Sequence, residues 1–356
     1  MDSDSVVGCL LGLAVGDALG LPREGLSRRR GQRLFPKLDR HQFICRRGVF
    51  SDDTEHACLT AQALLTSGGD SATFQHHLAR RLRWWVLCLP AGIGRATLRA
   101  CIRLWLGFGP KRSGVRSAGN GPAMRAPVLG VCLGSDLPQL GEFLRGSTRL
   151  THTDPKAEYG AFAVAWAAYR SSAGRGGPPP EPRGFVEELR RILKGDRHSA
   201  ALFERLDPVV LSVETGQTTE AFADSLGLDR GVSGYIYHTV PVAIHAWLLH
   251  PDDYREAVQA AIRCGGDTDT VAAVTGALVG ARVGKAGIPS EWIRGVIDWP
   301  RSTRWVEGLA RRVAEGKWRQ GPQLAHPLAV WALPLRNALF FLWVLKHVFR
   351  RLLPPY

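Results

Sequence analysis

With 356 residues, 45% of them hydrophobic and 22% charged, the chain has the composition of a soluble globular protein able to bury a core, which excludes a disordered or collagen-like polymer. A formal net charge of +14 suits an anionic partner such as a nucleotide, a modified macromolecule, nucleic acid or a membrane surface, or reflects a generally basic surface; charge alone does not choose. Seven cysteines, an odd number with no C-x-x-C pair, exclude a zinc ribbon, a redox motif and a disulfide framework and read as small core residues in a reducing compartment.

In chain order, the first element is the apolar run Val6 to Val15. Asp2 and Asp4 precede it and Asp17 follows, so it reads as the buried first helix of a cytoplasmic protein rather than as a signal peptide. Helical patterns follow over 57–66, 76–88, 95–106, 157–169, 184–194, 217–226 and 239–249. Between Tyr254 and Ile262 the apolar residues fall at 254, 257, 258, 261 and 262, one face of a helix, with Asp252 and Asp253 placed to cap it. Glycine and proline mark breaks at 107–122, 171–184 and 227–234. The proline-rich run at 171–184 has similar helical patterns on both sides and reads as a surface loop within one domain. Alternating strand patterns are scarce, and no internal repeat is evident. The expectation is an all-α, compact, single-domain orthogonal bundle of many helices over residues 1–317.

Two stretches carry the chemistry. Ser51-Asp52-Asp53-Thr54-Glu55 precedes a helical pattern, and Gly265-Gly266-Asp267-Thr268-Asp269-Thr270 precedes another over 271–283. Each places a hydroxyl and two aspartates in the turn that opens a helix. Ordinary N-capping needs only one such oxygen. Asp267 and Asp269 point apart on a helix but can face one side in an extended turn, for which the two glycines supply the freedom. If the stretches meet, four carboxylates repel unless a cation neutralises them, and an all-oxygen donor set suits Mg²⁺ or Mn²⁺ better than zinc. In Gly16 to Glu24, Asp17 reads as a helix-end or turn residue rather than a ligand, while Glu24 is either a solvated charge or a catalytic carboxylate. Gly119-Asn120-Gly121 is a glycine loop whose N–H groups could cradle a phosphate.

These segments, in this order, resemble the ADP-ribosylglycohydrolase family, with matching stretches at Gly8–Glu24, Phe50–Leu65, Gly119–Gly130, Thr151–Ala168 and Gly234–Gly284. The resemblance implies a mostly monomeric helical bundle holding two Mg²⁺ or Mn²⁺ ions. It implies Ser51, Asp52, Asp53, Asp267, Asp269 and Thr270 as ligands, Ser51 standing where many members have threonine. It places Glu24 beside the scissile bond, Gly119, Asn120 and Gly121 near the diphosphate, and His152 on the wall of the ADP-ribose cleft. The implied reaction is hydrolysis of the bond between C1 of the distal ribose and a nitrogen or oxygen of an acceptor, through an oxocarbenium-like transition state. Asp52, Asp53 and Glu24 are the candidates for the base that takes a proton from water. The acceptor is left open among a protein side chain, a small molecule and nucleic acid. Competing readings are a non-catalytic ADP-ribose-binding or crystallin-like relative and a two-metal phosphoester hydrolase.

From residue 318 the resemblance fades. The tail 318–356 contains the uninterrupted apolar run Leu339 to Leu345 followed by basic residues. Pro334, Arg336 and Asn337 break up the apolar sequence before this run, which leaves it short of the ~20 apolar residues a spanning helix needs. It is expected to be a helix packed on the core, an interfacial membrane helix or a partner-binding helix.

Overall fold

A computed structural model of the chain describes residues 2–193 and 197–352. Among them the regular structure is helical, with β-type pairing confined to isolated bridges. Residue 194, at the end of one expected helix, and residues 353–356, at the end of the expected tail, lie outside the described residues.

Helix α1 (Ser3–Gly20) starts where Asp2 accepts the Asp4 and Ser5 N–H groups, and it is buried from Ser5 to Gly20. A helix apolar on every side has no face for water and must be central. After α2 (Arg28–Leu34), an irregular stretch leads to α3 (Asp52–Thr66), α4 (Ser71–Val86) and α5 (Arg95–Trp105). A second irregular stretch precedes α6 (Ala126–Leu133), α7 (Leu137–Arg149) and α8 (Pro155–Ala173). Then come α9 (Pro182–Ile192), α10 (Arg197–Glu214), α11 (Thr219–Ser225), α12 (Ile236–Leu249) and α13 (Tyr254–Arg263). The described chain closes with α14 (Thr268–Gly287), α15 (Ser290–Gly295), α16 (Thr303–Ala314) and α17 (Leu333–Leu352).

The expected helices all have counterparts, and the expected 171–184 loop is shorter because α8 runs to Ala173 and Glu181 caps α9. Helices α2, α6, α7, α10, α15 and α16 were not expected. Helix α6 is buried at every position, so it shows no amphipathic period, and α10 carries Pro208 inside it.

The core is organised by the antiparallel pair α1 and α14, which touch backbone to backbone. A Cβ on Gly12 would lie 2.2 Å from the Gly276 carbonyl oxygen, and one on Gly16 the same distance from that of Ala272. Tyr254, at the start of α13, donates its hydroxyl to Gly12 O at 2.6 Å. Around this pair the buried side chains form one cluster running from Val6 to Trp318. A second, smaller cluster of Leu21, Phe43, Val49 and Phe340 lies under α17.

A methyl group on Gly12 meets backbone, which no rotamer change relieves, so Gly12→Ala should cost about 3 kcal/mol. Gly141, inside α7, has nothing within 4 Å of its Cβ position, and Gly141→Ala should stabilise by about 0.5–1 kcal/mol through helix propensity. Denaturant melts of the two variants check this. Equal effects would mean that the α1–α14 contact gives way where the geometry says it cannot.

Candidate active site and metal centre

Helices α3 and α14 both begin at the inner end of α1, and both carry acids in their first turn. The positive end of each helix dipole faces those carboxylates and lowers the cost of gathering them. Ser51 caps α3, its Oγ accepting the Asp53 N–H at 3.2 Å. Its hydroxyl also donates to Asp53 Oδ2 at 3.2 Å, as does that of Thr270 from α14. The two segments, 217 positions apart, therefore share one carboxylate.

Asp17 belongs to the same cluster. Asp17 lies in the last turn of α1, which ends at Gly20, as expected of a helix-end residue, and its carboxylate faces the start of α3. It accepts the Ser51 N–H (3.1 and 3.0 Å to its two oxygens), the Thr54 N–H (3.2 Å) and the Thr54 hydroxyl. Carboxylate oxygens of Asp17, Asp53 and Asp269 all lie within 4.8 Å of one another.

These groups are buried, and among the described residues no cationic side chain pairs with them. Burial pushes the Asp53 and Asp269 carboxyls well above the ordinary range, and neighbouring acids push further: Asp17 and Asp52 on Asp53, Glu24 and Asp267 on Asp269. Burial raises Asp17 to about 6, its hydrogen bonds from Thr54 and Ser51 working in the opposite direction. Asp52 is raised by burial and then by Glu24. Oδ1 of Asp53 and Oδ1 of Asp269 are buried with no hydrogen-bond partner among the described residues. Two orphaned carboxylate oxygens beside a third carboxylate are costly in a bare protein interior and fit a hard divalent cation with oxygen ligands. Glu55, one turn further along α3, has a different fate: it pairs with Arg301 and accepts the Trp85 indole N–H, so it stands outside the cluster.

The cluster forms the floor of a cavity of about 570 Å³ lined by Glu24, Asp52, Asp53, Gly119, Asn120, Gly121, His152, Asp267, Asp269 and Thr270. All the sequence-predicted site residues thus meet there, Ser51 through Asp53. Their meeting depends on the Gly265-Gly266 turn. Both glycines have positive φ, +70° and +78°, a conformation other residues adopt only with strain. In that turn Gly266 O accepts the Gly25 N–H at 2.7 Å and Gly266 N–H donates to Leu26 O at 2.8 Å, which fixes the loop carrying Glu24. Val232 donates to Gly265 O at 3.0 Å and accepts from Asp267 N–H at 2.8 Å. Asn120 Nδ2 donates to Asp267 Oδ2 at 2.7 Å and to Thr239 Oγ1 at 2.9 Å, holding Asp267 toward the cavity.

His152 packs against the glycine loop: a Cβ on Gly121 would stand 3.0 Å from its Cε1 and one on Gly119 3.1 Å from its Nε2. Burial, helped by the nearby Arg125 guanidinium, pushes the imidazole down to about 3. It is neutral near pH 7, a shaping and hydrogen-bonding group rather than an acid. Arg95 and Arg230 also line the cavity; isolated arginines in loops carry no sequence signal, and neither was expected.

The cluster makes a signed prediction for the metal-free protein. Unfolded aspartates lose their protons near pH ~4, whereas folded Asp17 keeps its proton to about 6, and Asp53 and Asp269 are shifted in the same direction. The folded state then binds more protons, so stability is fullest below pH ~4 and falls as pH rises through about 6. In chelator, the advantage of Asp269→Asn over wild type in melting temperature should grow across that interval. Saturating Mg²⁺ or Mn²⁺ should raise the wild-type Tm and leave the variant nearly unmoved. A wild-type Tm indifferent to both ions, with calorimetry showing no binding, would remove the cation from this site.

The family model for ADP-ribosylglycohydrolase matches residues 2–323. An uncharacterized protein of Archaeoglobus fulgidus is 30% identical over 86% of this chain and 95% of its own length. The ADP-ribosylarginine hydrolase Tri1 of Serratia proteamaculans is 26% identical over 86% and 79%. A solved structure described as an ADP-ribosylglycohydrolase-related protein complex superposes with a TM-score of 0.63 at 28% identity, covering 89% of this chain and 98% of its own. The chain belongs to the ADP-ribosylglycohydrolase family.

Proposed function

We propose that the protein hydrolyses the glycosidic bond between ADP-ribose and a modified acceptor, using two Mg²⁺ or Mn²⁺ ions held by Ser51, Asp52, Asp53, Asp267, Asp269 and Thr270, with Asp17 supporting the first segment. The observation that carries this reading is the pair of unpartnered oxygens, Asp53 Oδ1 and Asp269 Oδ1, on the floor of a cavity that also holds Glu24 and the Gly119-Asn120-Gly121 loop. When bound, the ions would polarise ribose hydroxyls and make water more acidic.

The chain's own residues do the remaining work. Arg95 and Arg230, on the same wall as the Gly119–Gly121 loop, supply positive charge for a diphosphate, while the Gly119 and Asn120 N–H groups are spent on Ser117 Oγ and Gly234 O and hold the loop in place. Neutral His152 shapes that loop and adds no charge of its own. In the reaction, water adds its oxygen to C1 of the distal ribose as the bond to the acceptor breaks. One proton passes from water to a carboxylate and one is delivered to the departing nitrogen or oxygen, so the products are ADP-ribose and the restored acceptor. Of the three carboxylates weighed as base, Asp53 already receives the Ser51 and Thr270 hydroxyls. Asp52 and Glu24 line the open cavity, and Glu24, on its loop above the cluster, is the better placed to meet a substrate.

A panel of ADP-ribosylated arginine, serine and nucleic acid substrates, assayed with Mg²⁺, Mn²⁺ and chelator, tests the proposal and identifies the acceptor. Free ADP-ribose is the expected product. AMP with ribose phosphate would indicate a phosphoester hydrolase, and binding without turnover a non-catalytic relative. Glu24→Gln should lower turnover by ~10²-fold or more, within the usual range for a lost general acid or base, while Mn²⁺ affinity and Tm stay near wild type. Unchanged turnover on a good substrate would remove Glu24 from the reaction.

A further inference from the structure

Helix α17 lies beyond the last residue matched to the family, 323, and its two faces differ. The inner face is fixed to the body by polar as well as apolar contacts. Asn337 Nδ2 donates to Cys88 O at 2.7 Å, Trp343 Nε1 donates to Phe43 O at 2.9 Å, and the His347 ring stacks on Phe43 with centroids 4.6 Å apart. The outer face is apolar and uncovered: Leu335, Leu339, Leu342 and Phe349 are each 60–64% exposed. Their spacing of four, three and seven residues makes a single stripe along the helix. Trp331, just before the helix, extends the stripe at 76% exposure and packs edge-on against exposed Trp299.

We propose that this outer face is a docking surface for the interface of an anionic lipid bilayer. Charge is the deciding observation. Residues 316–356 contain six lysines and arginines and no aspartate or glutamate. Lys346, exposed on the helix with its ammonium 4.2 Å from the Trp343 ring centroid, sits where a basic side chain meets headgroups, and the sequence adds Arg350 and Arg351. An apolar stripe on a segment whose charged side chains are all basic, with tryptophans at one end, is the pattern of a helix lying in the plane of an anionic membrane. A second copy of the chain fits worse, because pairing two stripes would bring two acid-free, positively charged segments together. A convex helix also offers no groove for a peptide, whereas it presents a complete face to a flat layer.

The mode is lying on, not crossing. At ~1.5 Å per residue the helix is ~30 Å long, enough to span a bilayer. Spanning, however, would pull Asn337 from Cys88 O and Arg336 from its pairing with Asp298. Docking by the outer face keeps both and buries the stripe ~5–10 Å into the headgroup boundary.

Flotation of the full-length protein with vesicles tests this, using phosphatidylcholine alone against phosphatidylcholine containing one third phosphatidylserine. Binding to the anionic vesicles, weakened by high salt, is expected, with at least ~10-fold less protein on the neutral ones. The variant Leu335→Glu/Leu339→Glu/Leu342→Glu changes only exposed positions; it should keep the wild-type Tm and lose flotation. Absence of flotation with anionic vesicles, equal flotation with both compositions, or flotation unaffected in the folded triple variant would each overturn the proposal. A dimer seen by light scattering that the triple variant abolishes, without vesicle binding, would assign the face to a second copy instead.

Discussion

A Cβ placed on Gly8, Gly12, Gly16 or Gly20 would stand 2.0–2.3 Å from a carbonyl oxygen of Gly280, Gly276, Ala272 or Thr268 respectively. Each step of four residues along α1 is answered by a step of four back along α14, so the register of the pair is set by small residues over more than three turns. Close approach of backbones gains dispersion contacts that bulky side chains would prevent. It also sets the site. At the end of this seam Thr268 donates its hydroxyl to Gly20 O at 2.8 Å, and the first turn of α14 is held against the last turn of α1. Asp17 and Asp269 come within ligand distance of each other because their helices cannot part or slide.

The acids gathered there differ in how the protein treats them. Glu55 is answered by Arg301 and Arg336, and Asp298 by Arg336. Among the described residues no lysine or arginine pairs with Asp17, Asp53 or Asp269. The chain thus neutralises the carboxylates behind the site and leaves those in front with only helix N-termini, hydroxyls and N–H groups. Those partial charges orient carboxylates, but they do not cancel three buried negative charges. The distinction separates acids that support the structure from acids held ready for a cation, although both kinds occur within five residues of α3.

This distinction also marks where the sequence was legible. The doubled aspartates at 52–53 and 267–269 stood out because capping does not require two, and the structure places them in one cavity. The all-α character followed from helical periodicity. Asp17 reads locally as a structural helix-end residue, and it does lie in the last turn of α1; its nearness to Asp53 and Asp269 follows from the Gly8, Gly12, Gly16 and Gly20 period, whose purpose shows only once α14 is packed against it. Helix α6 escaped for a related reason: burial on every side erases the amphipathic signal. Gly92 and Gly234, which let the backbone pass 3.3 Å (to a built Cβ) from Asp52 and Asp267 oxygens, show their purpose only once distant loops are brought together.

The support behind the first metal segment extends into the tail. Arg336 of α17 donates to Phe50 O at 2.6 Å and pairs with Asp298, which in turn accepts the Phe50 N–H at 2.9 Å. The next residue, Ser51, donates its N–H to Asp17. The backbone entering the site is therefore gripped from opposite directions, by a helix inside the family match and by one outside it. Phe340 and Phe43 seal the same corner with Leu21 and Val49, a few residues from Glu24 and Ser51. An appended helix that only covered surface would have no need of a guanidinium turned inward onto Asp298 and Phe50 O. Because α17 reaches Phe50, any force that seats or lifts its outer face acts on the peptide that positions Ser51, Asp52 and Asp53, and the tail is mechanically part of the site although none of its described residues lines the cavity.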